Sequence, residues 1–277
     1  MALFGDYTKA GPGVDKNAPQ KKPFFRFIEL YFRKFWKLIG LNFLTFLCCL
    51  PIITIGPAIA GMTKVLKLYS LERPCDVLSD FWNGFSKNFK QAFPVGLIDL
   101  LVFSGVVMGL RIYPQMAEST GNTVFYYALS IISAILGFTF LMMNFYIFPM
   151  LVSVDLPLAD ILKNSFYLTC LGLKTNIITL LIYALVLGLT FVSTVFVSVL
   201  NIVVVPIFIL SFLGYVSVFN SYPIIQKYVI DPYYEQRGED NPEYDYLKPL
   251  DPEDSVFVDM GGKEAPIEGR KKHKTIS

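Results

Sequence analysis

Catalysis needs a titratable or nucleophilic group held in a defined place, and this chain offers few. Its single histidine, His273, stands in a polar C-terminal stretch. Of its four cysteines, Cys48 and Cys49 are adjacent, a spacing that rarely bridges, and Cys75 and Cys170 stand apart with no CxxC pair. No thiolate–imidazole ligand set exists for a metal, and the four thiols are expected to be reduced and structural. The patterns GxxxxGK[ST], GxGxxG, HExxH and GxSxG are all missing. No catalytic residue, metal ligand or cofactor is expected, and an enzyme is disfavoured.

The residue that invites a chemical role is Asp99, the one charge between Phe93 and Leu110. An acid at the centre of a bilayer costs roughly 3 kcal/mol on insertion scales, so it calls for a partner, a wet cavity or a proton. Two readings stand. In one, Asp99 with Lys64 and Lys67 forms an intramembrane polar site that couples an ion or a proton. In the other, Asp99 lies about two turns from Gln91, near enough to the interface to be hydrated or to pair with either lysine. The uncharged polar residues Asn42, Thr45, Asn144, Asn201 and Asn220 are expected to join helices, at ~1 kcal/mol per hydrogen bond.

The elements that position these residues are membrane helices. Hydrophobic residues make up 54% of the 277, phenylalanine alone occurs 25 times, and the mean hydropathy is +0.51. A soluble domain of this size has too little interior for that surface. The apolar runs are continuous and lack the period of two of a β-barrel. Several are long enough for a helix of about 20 residues to cross a bilayer. The class is an all-α polytopic bundle. Residues 1–22 read as a flexible leader without a cleavable signal, 23–230 as the transmembrane domain, and 231–277 as a disordered tail rich in Asp, Glu, Pro and Gly. Pro23 to Gly40, PFFRFIELYFRKFWKLIG, reads as a helix in the headgroup region with its cations snorkelling, and equally as the basic flank of the first span.

From Leu38 to Thr63 there is no charge, yet Pro51, Thr54, Gly56 and Pro57 interrupt the run. Either one span bends here or the chain reverses. Lysine and arginine decide between them. Eight lie in the first 37 residues, five between Lys64 and Lys90, one in Arg111–Asn122, two in Asp155–Lys174 and eight from Lys227 onward. Only a reversal, as a full hairpin or a re-entrant one, keeps every basic segment on one side. The expectation is six hydrophobic helices, the first pair short, with both termini cytoplasmic. Arg111–Asn122 reads as a polar loop. The 52 uncharged residues from Thr175 to Gln226 read as two spans with a turn near Leu200 and Asn201. The break itself reads as an ordinary turn near the outer face or as a pair of helix ends offered to a substrate.

Between Leu71 and Ala92, Phe81, Trp82, Phe85 and Phe89 recur at helical spacing beside Lys87. This helix is the candidate partner-docking element, and it reads equally as one resting on the membrane surface. Leu78–Val102 and Leu158–Ile182 echo one another, with Asp80 against Asp160 and Phe85 against Phe166. In both, an amphipathic helix leads straight into a span. A parallel duplication and a likeness of composition both fit.

The leader LFGDYTKAGPGVDKNAPQKKPFFRF, the run FWKLIGLNFLTFLCCLPIITIGPA and the segment DFWNGFSKNFKQAF together resemble the YesL family of bacterial membrane proteins, whose function is not established. The most specific part is Leu50-Pro51 followed by Thr54-Ile55-Gly56-Pro57. The resemblance implies a bacterial plasma membrane and, since such proteins are often encoded near sugar-uptake ABC systems, a supporting role in carbohydrate uptake. It implies no catalytic residues. The function expected is accessory or scaffolding, with a small transporter or channel using Asp99 and the broken helix pair as the alternative. The partners expected are the bilayer, an ABC transporter subunit or a second copy, and no nucleic acid.

Overall fold

Backbone polar groups in hydrocarbon must find partners within their own segment, so a chain this apolar folds as helices. The structure is a computed structural model that describes residues 22–196, 208–239 and 241–243. Among the described residues no strand occurs. The helices are α1 (Pro23–Arg33), α2 (Phe35–Cys49), α3 (Ile55–Ser70), α4 (Val77–Lys87), α5 (Phe89–Thr120), α6 (Thr123–Leu151), α7 (Leu158–Leu171), α8 (Leu173–Phe196), α9 (Leu210–Ile225) and α10 (Asp231–Arg237). A 3₁₀ turn, Ile52–Thr54, leads into α3, and a π segment, Gln226–Ile230, joins α9 to α10. Pro23–Glu239 packs as one unit. Outside it, the Glu243 amide donates to Asn241 Oδ1 at 2.9 Å.

Four stretches are long and apolar enough to cross a membrane: Ile52–Ser70, Phe89–Thr120, Thr123–Leu151 and Leu173–Thr194. α2 is apolar but shorter, and α9 has 16 residues. These are the features of a membrane protein. Leu101 and Met108 on α5, Ile131 and Leu136 on α6, and Leu185 and Phe191 on α8 are all exposed. That surface suits a lipid solvent, which is as apolar as leucine.

Two expected boundaries move. Arg111–Thr120 is helical, and the turn narrows to Gly121, whose φ of 73° ends α5. The helical chain also runs past Ile230 through α10, to Gly238 at φ 65°. The turn near Leu200 and Asn201, the leader before Lys22 and the acidic tail beyond Glu243 lie outside the described residues.

The core joins α2, α3, α4, the end of α6, α7 and α9 through Leu41, Leu66, Tyr69, Phe81, Ile147 and Tyr215. α1 turns Phe27, Leu30 and Tyr31 inward. Phe27 packs on Tyr215 at 5.0 Å between ring centroids and on Phe219 at 5.3 Å. Its other face leaves Phe24, Phe25 and Phe32 exposed, as an interfacial helix does. The tightest crossings are between backbones. A Cβ on Gly96 of α5 would come within 2.8 Å of the Gly56 nitrogen in α3, and one on Gly61 within 2.8 Å of the Phe81 carbonyl oxygen in α4. Small residues let helices approach this closely.

The echo in the sequence is an echo in the path. α3 ends in loop 71–76, α4 folds back on it, and the chain breaks at Asn88 before α5. α6 ends in loop 152–157, α7 folds back on it, and the chain breaks at Gly172 before α8. Phe81 and Ile161, one residue after the paired aspartates, are both fully buried.

Candidate functional site

Asp99, in α5, lines a cavity of about 290 Å³ walled by α3, α5, α6, α8 and α9. Its wall is mostly apolar, with Met62, Phe103, Phe145 and Leu213 among its residues. Asn144 of α6 donates through Nδ2 to Asp99 Oδ1 at 2.9 Å and to the Phe140 carbonyl at 3.1 Å. Asn144 Oδ1 is buried and has no partner. Tyr183 closes one wall, its hydroxyl donating to the Leu213 carbonyl at 2.9 Å. The site therefore gathers a carboxylate and an unused amide oxygen in apolar surroundings. It suits a proton, a cation or a hydrogen-bond donor.

The structure does not bring Lys64 or Lys67 to Asp99, which makes no ion pair among the described residues. Lys64 lines a different cleft with Lys87 and Lys90. Lys67 places its ammonium 4.9 Å from the centre of the Tyr222 ring. Asn144 is the partner of the intramembrane acid, and the sequence placed it only among the residues that join helices.

Three of those residues do cross between helices: Asn144; Asn42, which accepts from the Ser211 amide at 2.6 Å; and Asn220, which donates to Thr179 Oγ1 at 2.9 Å. Thr45 bonds its own helix, at the Leu41 carbonyl, and Asn201 lies outside the described residues. Sequence reasoning missed Asn176. Its amide donates to the Thr169 carbonyl at 3.0 Å and its Oδ1 accepts from the Tyr146 hydroxyl at 2.7 Å, tying α6, α7 and α8 together. A polar amide opening an otherwise uncharged run was the available signal.

At the break, Pro51 lacks an amide proton and ends the α2 ladder. Thr54 supplies the missing donor: its hydroxyl lies 2.6 Å from the Cys48 carbonyl and 2.9 Å from that of Pro51. Gly56 and Pro57 are buried, and Gly56 presses on Ala92–Gly96. Leu50, Ile52 and Ile53 at the tip are 64%, 64% and 62% exposed. From Gly96 to Thr120 α5 continues for roughly 36 Å, at 1.5 Å per residue. The break therefore sits beside the beginning of α5, far along the helix from the Gly121 turn.

The docking candidates divide. Phe81 is fully buried against Gly61 and cannot meet a partner. Trp82, Phe85 and Phe89 form a ladder with ring centroids 5.2 and 5.8 Å apart. Trp82 and Phe89 are exposed and Phe85 is half-buried, with exposed Lys87 nearby on the same helix.

Two arginines missed by sequence reasoning clamp the loop before α4. Arg26 Nε lies 3.2 Å from Glu72 Oε1 and Arg33 Nη2 lies 2.8 Å from Glu72 Oε2. Burial works against ionisation of Glu72, but the Arg33 hydrogen bond and the two guanidinium charges outweigh it and hold the carboxyl below its usual range. Glu72 has φ 59°, a left-handed conformation unusual outside glycine and asparagine. In the same loop, burial and the Asp80 carboxylate push the Cys75 thiol up to about 12, which keeps it protonated. All four cysteines are free.

Residues 38–110 match the family described as "Protein of unknown function, DUF624". The matched stretch runs from α2 into α5 and holds the break, both glycine crossings, the aromatic ladder and Asp99. No curated protein and no solved structure matches the chain.

Proposed function

We propose that this is a multi-pass plasma-membrane protein with an accessory or scaffolding role, holding a membrane partner at the edge formed by Trp82, Phe85 and Phe89. The observation that carries this reading is that Trp82 and Phe89 are exposed, with half-buried Phe85 in edge-on and tilted contact between them, while Phe81 is committed to the core. Exposed rigid aromatic side chains are what protein interfaces favour. The resemblance to the YesL family points to a carbohydrate-uptake ABC transporter as the partner, with a second copy of the chain as the other candidate. The test is native purification in mild detergent followed by mass spectrometry. A transporter subunit should co-purify, and Trp82→Ala with Phe85→Ala should release it. Undiminished capture by that double variant would remove the edge from the argument.

The arrangement in the membrane is six apolar helices with both termini cytoplasmic, and the α2–α3 break re-entrant. Three exposed apolar residues at its tip favour a turn within hydrocarbon, and there Thr54 serves two carbonyls, its hydroxyl that of Cys48 and its amide that of Pro51. Irregular backbone at membrane depth needs such internal partners. A reporter fused at Ser79 should read as cytoplasmic; an extracellular signal refutes the arrangement.

A second reading, a small transporter or channel, is favoured by the unpartnered Asn144 oxygen beside Asp99. Flux in proteoliposomes that disappears with Asp99→Asn, while the protein remains folded, would support it. Unchanged flux would end it.

A further inference from the structure

Loop 152–157 stands off from the junction of α3, α4 and α5 and leaves a cleft of about 500 Å³. Three cations line it from three helices: Lys64 of α3, Lys87 in the last turn of α4 and Lys90 in the first turn of α5. Gly84 makes room for the Lys64 stem. A Cβ there would come within 2.9 Å of Lys64 Cβ and 3.2 Å of its Cδ. The opposite wall is fixed by Gln91, which donates to the Leu156 carbonyl at 3.1 Å.

That wall supplies Ser153, whose hydroxyl is buried and unpartnered. The amides of Ser153 and Val154 already bond the Met150 carbonyl, so the hydroxyl is the polar group they leave for a ligand. Leaving such a group unsatisfied is unfavourable, and an acceptor in the cleft would relieve it. Two acids temper the positive charge: exposed Asp155 on the cleft rim and Asp80, within electrostatic reach of Lys64. Leu151, Val152 and Val154 make the loop side partly apolar.

We propose that this cleft binds the phosphodiester headgroup of an anionic lipid. Phosphate oxygens accept from the three ammonium groups and from Ser153, and the apolar side of the loop meets the glycerol end. Basic pockets between membrane helices recognise anionic headgroups by such charged hydrogen bonds, whereas a zwitterionic phosphocholine headgroup sets its own quaternary ammonium against the lysines. The site shares its membrane setting and Lys87 with the candidate docking helix, and otherwise depends on different side chains.

The experiment measures thermal unfolding of the full chain in neutral detergent with phosphatidylglycerol, phosphatidylcholine or inorganic phosphate added. Phosphatidylglycerol should raise the midpoint, while the other two should not. Lys64→Gln with Lys90→Gln should weaken the phosphatidylglycerol response by about tenfold or more, a charged hydrogen bond being worth a factor of that order. Asp155→Asn should strengthen it. An equal response to phosphatidylcholine overturns the proposal, and so does an equal response to inorganic phosphate, which would mark a soluble-anion site. Should the lysine pair fail to fold, Asp155→Asn without gain and Ser153→Ala without loss overturn it instead. Trp82→Ala should leave the lipid response intact, so partner loss and lipid loss are separate results.

Discussion

Residues 55–120 and 123–196 trace the same course. Each begins with an apolar helix, passes a six-residue loop (71–76 or 152–157), returns as an amphipathic helix, and breaks at one residue before the next apolar helix. What holds the turns together differs. In the first, backbones touch, with Gly56 on Gly96 and Gly61 on Phe81 and Gly84. In the second, side chains reach across: Tyr146 to Asn176, Asn176 to Thr169, and Ser165 to Met150 Sδ at 3.7 Å. Backbone contact accepts one residue type, whereas a hydrogen bond between side chains can be replaced by packing of similar volume. The family match covers the first course as far as Leu110, on the side where the geometry is least forgiving.

The sharpest way to break the comparison is to load the glycines. A Cβ on Gly56 would overlap the Ala92 carbonyl, and the obstacle is backbone on both helices. Gly56→Leu is expected to abolish the folded protein, an effect above about 4 kcal/mol of the kind that overpacking with backbone displacement produces. Monodisperse yield in detergent reads it. Gly84→Ala would bring its Cβ to 2.9 Å from Lys64 Cβ and 3.0 Å from the Gly61 Cα, a smaller overlap from a smaller side chain, and should cost less, about 1–3 kcal/mol. Were Gly56→Leu to fold normally, direct backbone contact would not be what joins α3 to α5.

The second course should yield more gradually. Asn176→Leu strands the Tyr146 hydroxyl and the Thr169 carbonyl, and is expected to lower stability by about 1–3 kcal/mol. Tyr146→Phe with Asn176→Leu should recover part of that loss, because the buried hydroxyl leaves with its partner. Denaturation in a mild-to-harsh detergent series measures both. If the double variant is worse than the single by the full cost of each, the two side chains act independently and the hydrogen bond is not the adhesive.

Much of this was legible in the sequence. The break at Pro51, the amphipathic helix after Pro74, the apolar helices around Asp99 and the echo of Asp80 with Asp160 all follow from charge gaps and spacing, which are local properties. Asn42, Asn144 and Asn220 were readable as links because a polar side chain in hydrocarbon has few other uses. What was not legible depends on distance. The sequence offered lysines to Asp99, but α3 turns Lys64 over Gly84, away from the acid, and the donor comes from Asn144, 45 positions along the chain. Phe81 shared its helical spacing with Trp82 and Phe85. Only the crossing at Gly61 shows that it is fully buried while Phe85 is half-buried and Trp82 is exposed. Arg111–Thr120 read as a loop by composition, yet α5 runs through Pro114 and ends only where Gly121 offers a left-handed residue.

The smallest expected effect separates the two loops. Loop 71–76 is held by charge, through Arg26, Arg33 and Glu72, and loop 152–157 by the neutral Gln91 bond. Glu72 has its folded pKa depressed, so its contribution is present above the unfolded carboxylate value, near ~4.3, and is lost as pH falls through the lower folded value. The side chains are 40–47% exposed, so solvent screening keeps the contribution under about 1 kcal/mol. Hydrogen-exchange protection in residues 71–76 should therefore fall between about pH 5 and pH 3, while protection in 152–157 stays level. Glu72→Gln should flatten the first profile to match the second. Glu72→Gly should flatten it too but lose less stability, since glycine accepts φ 59° without strain. A loop 71–76 that keeps its protection through this range would mean that the arginines merely lie near Glu72, and that the two loops are held alike.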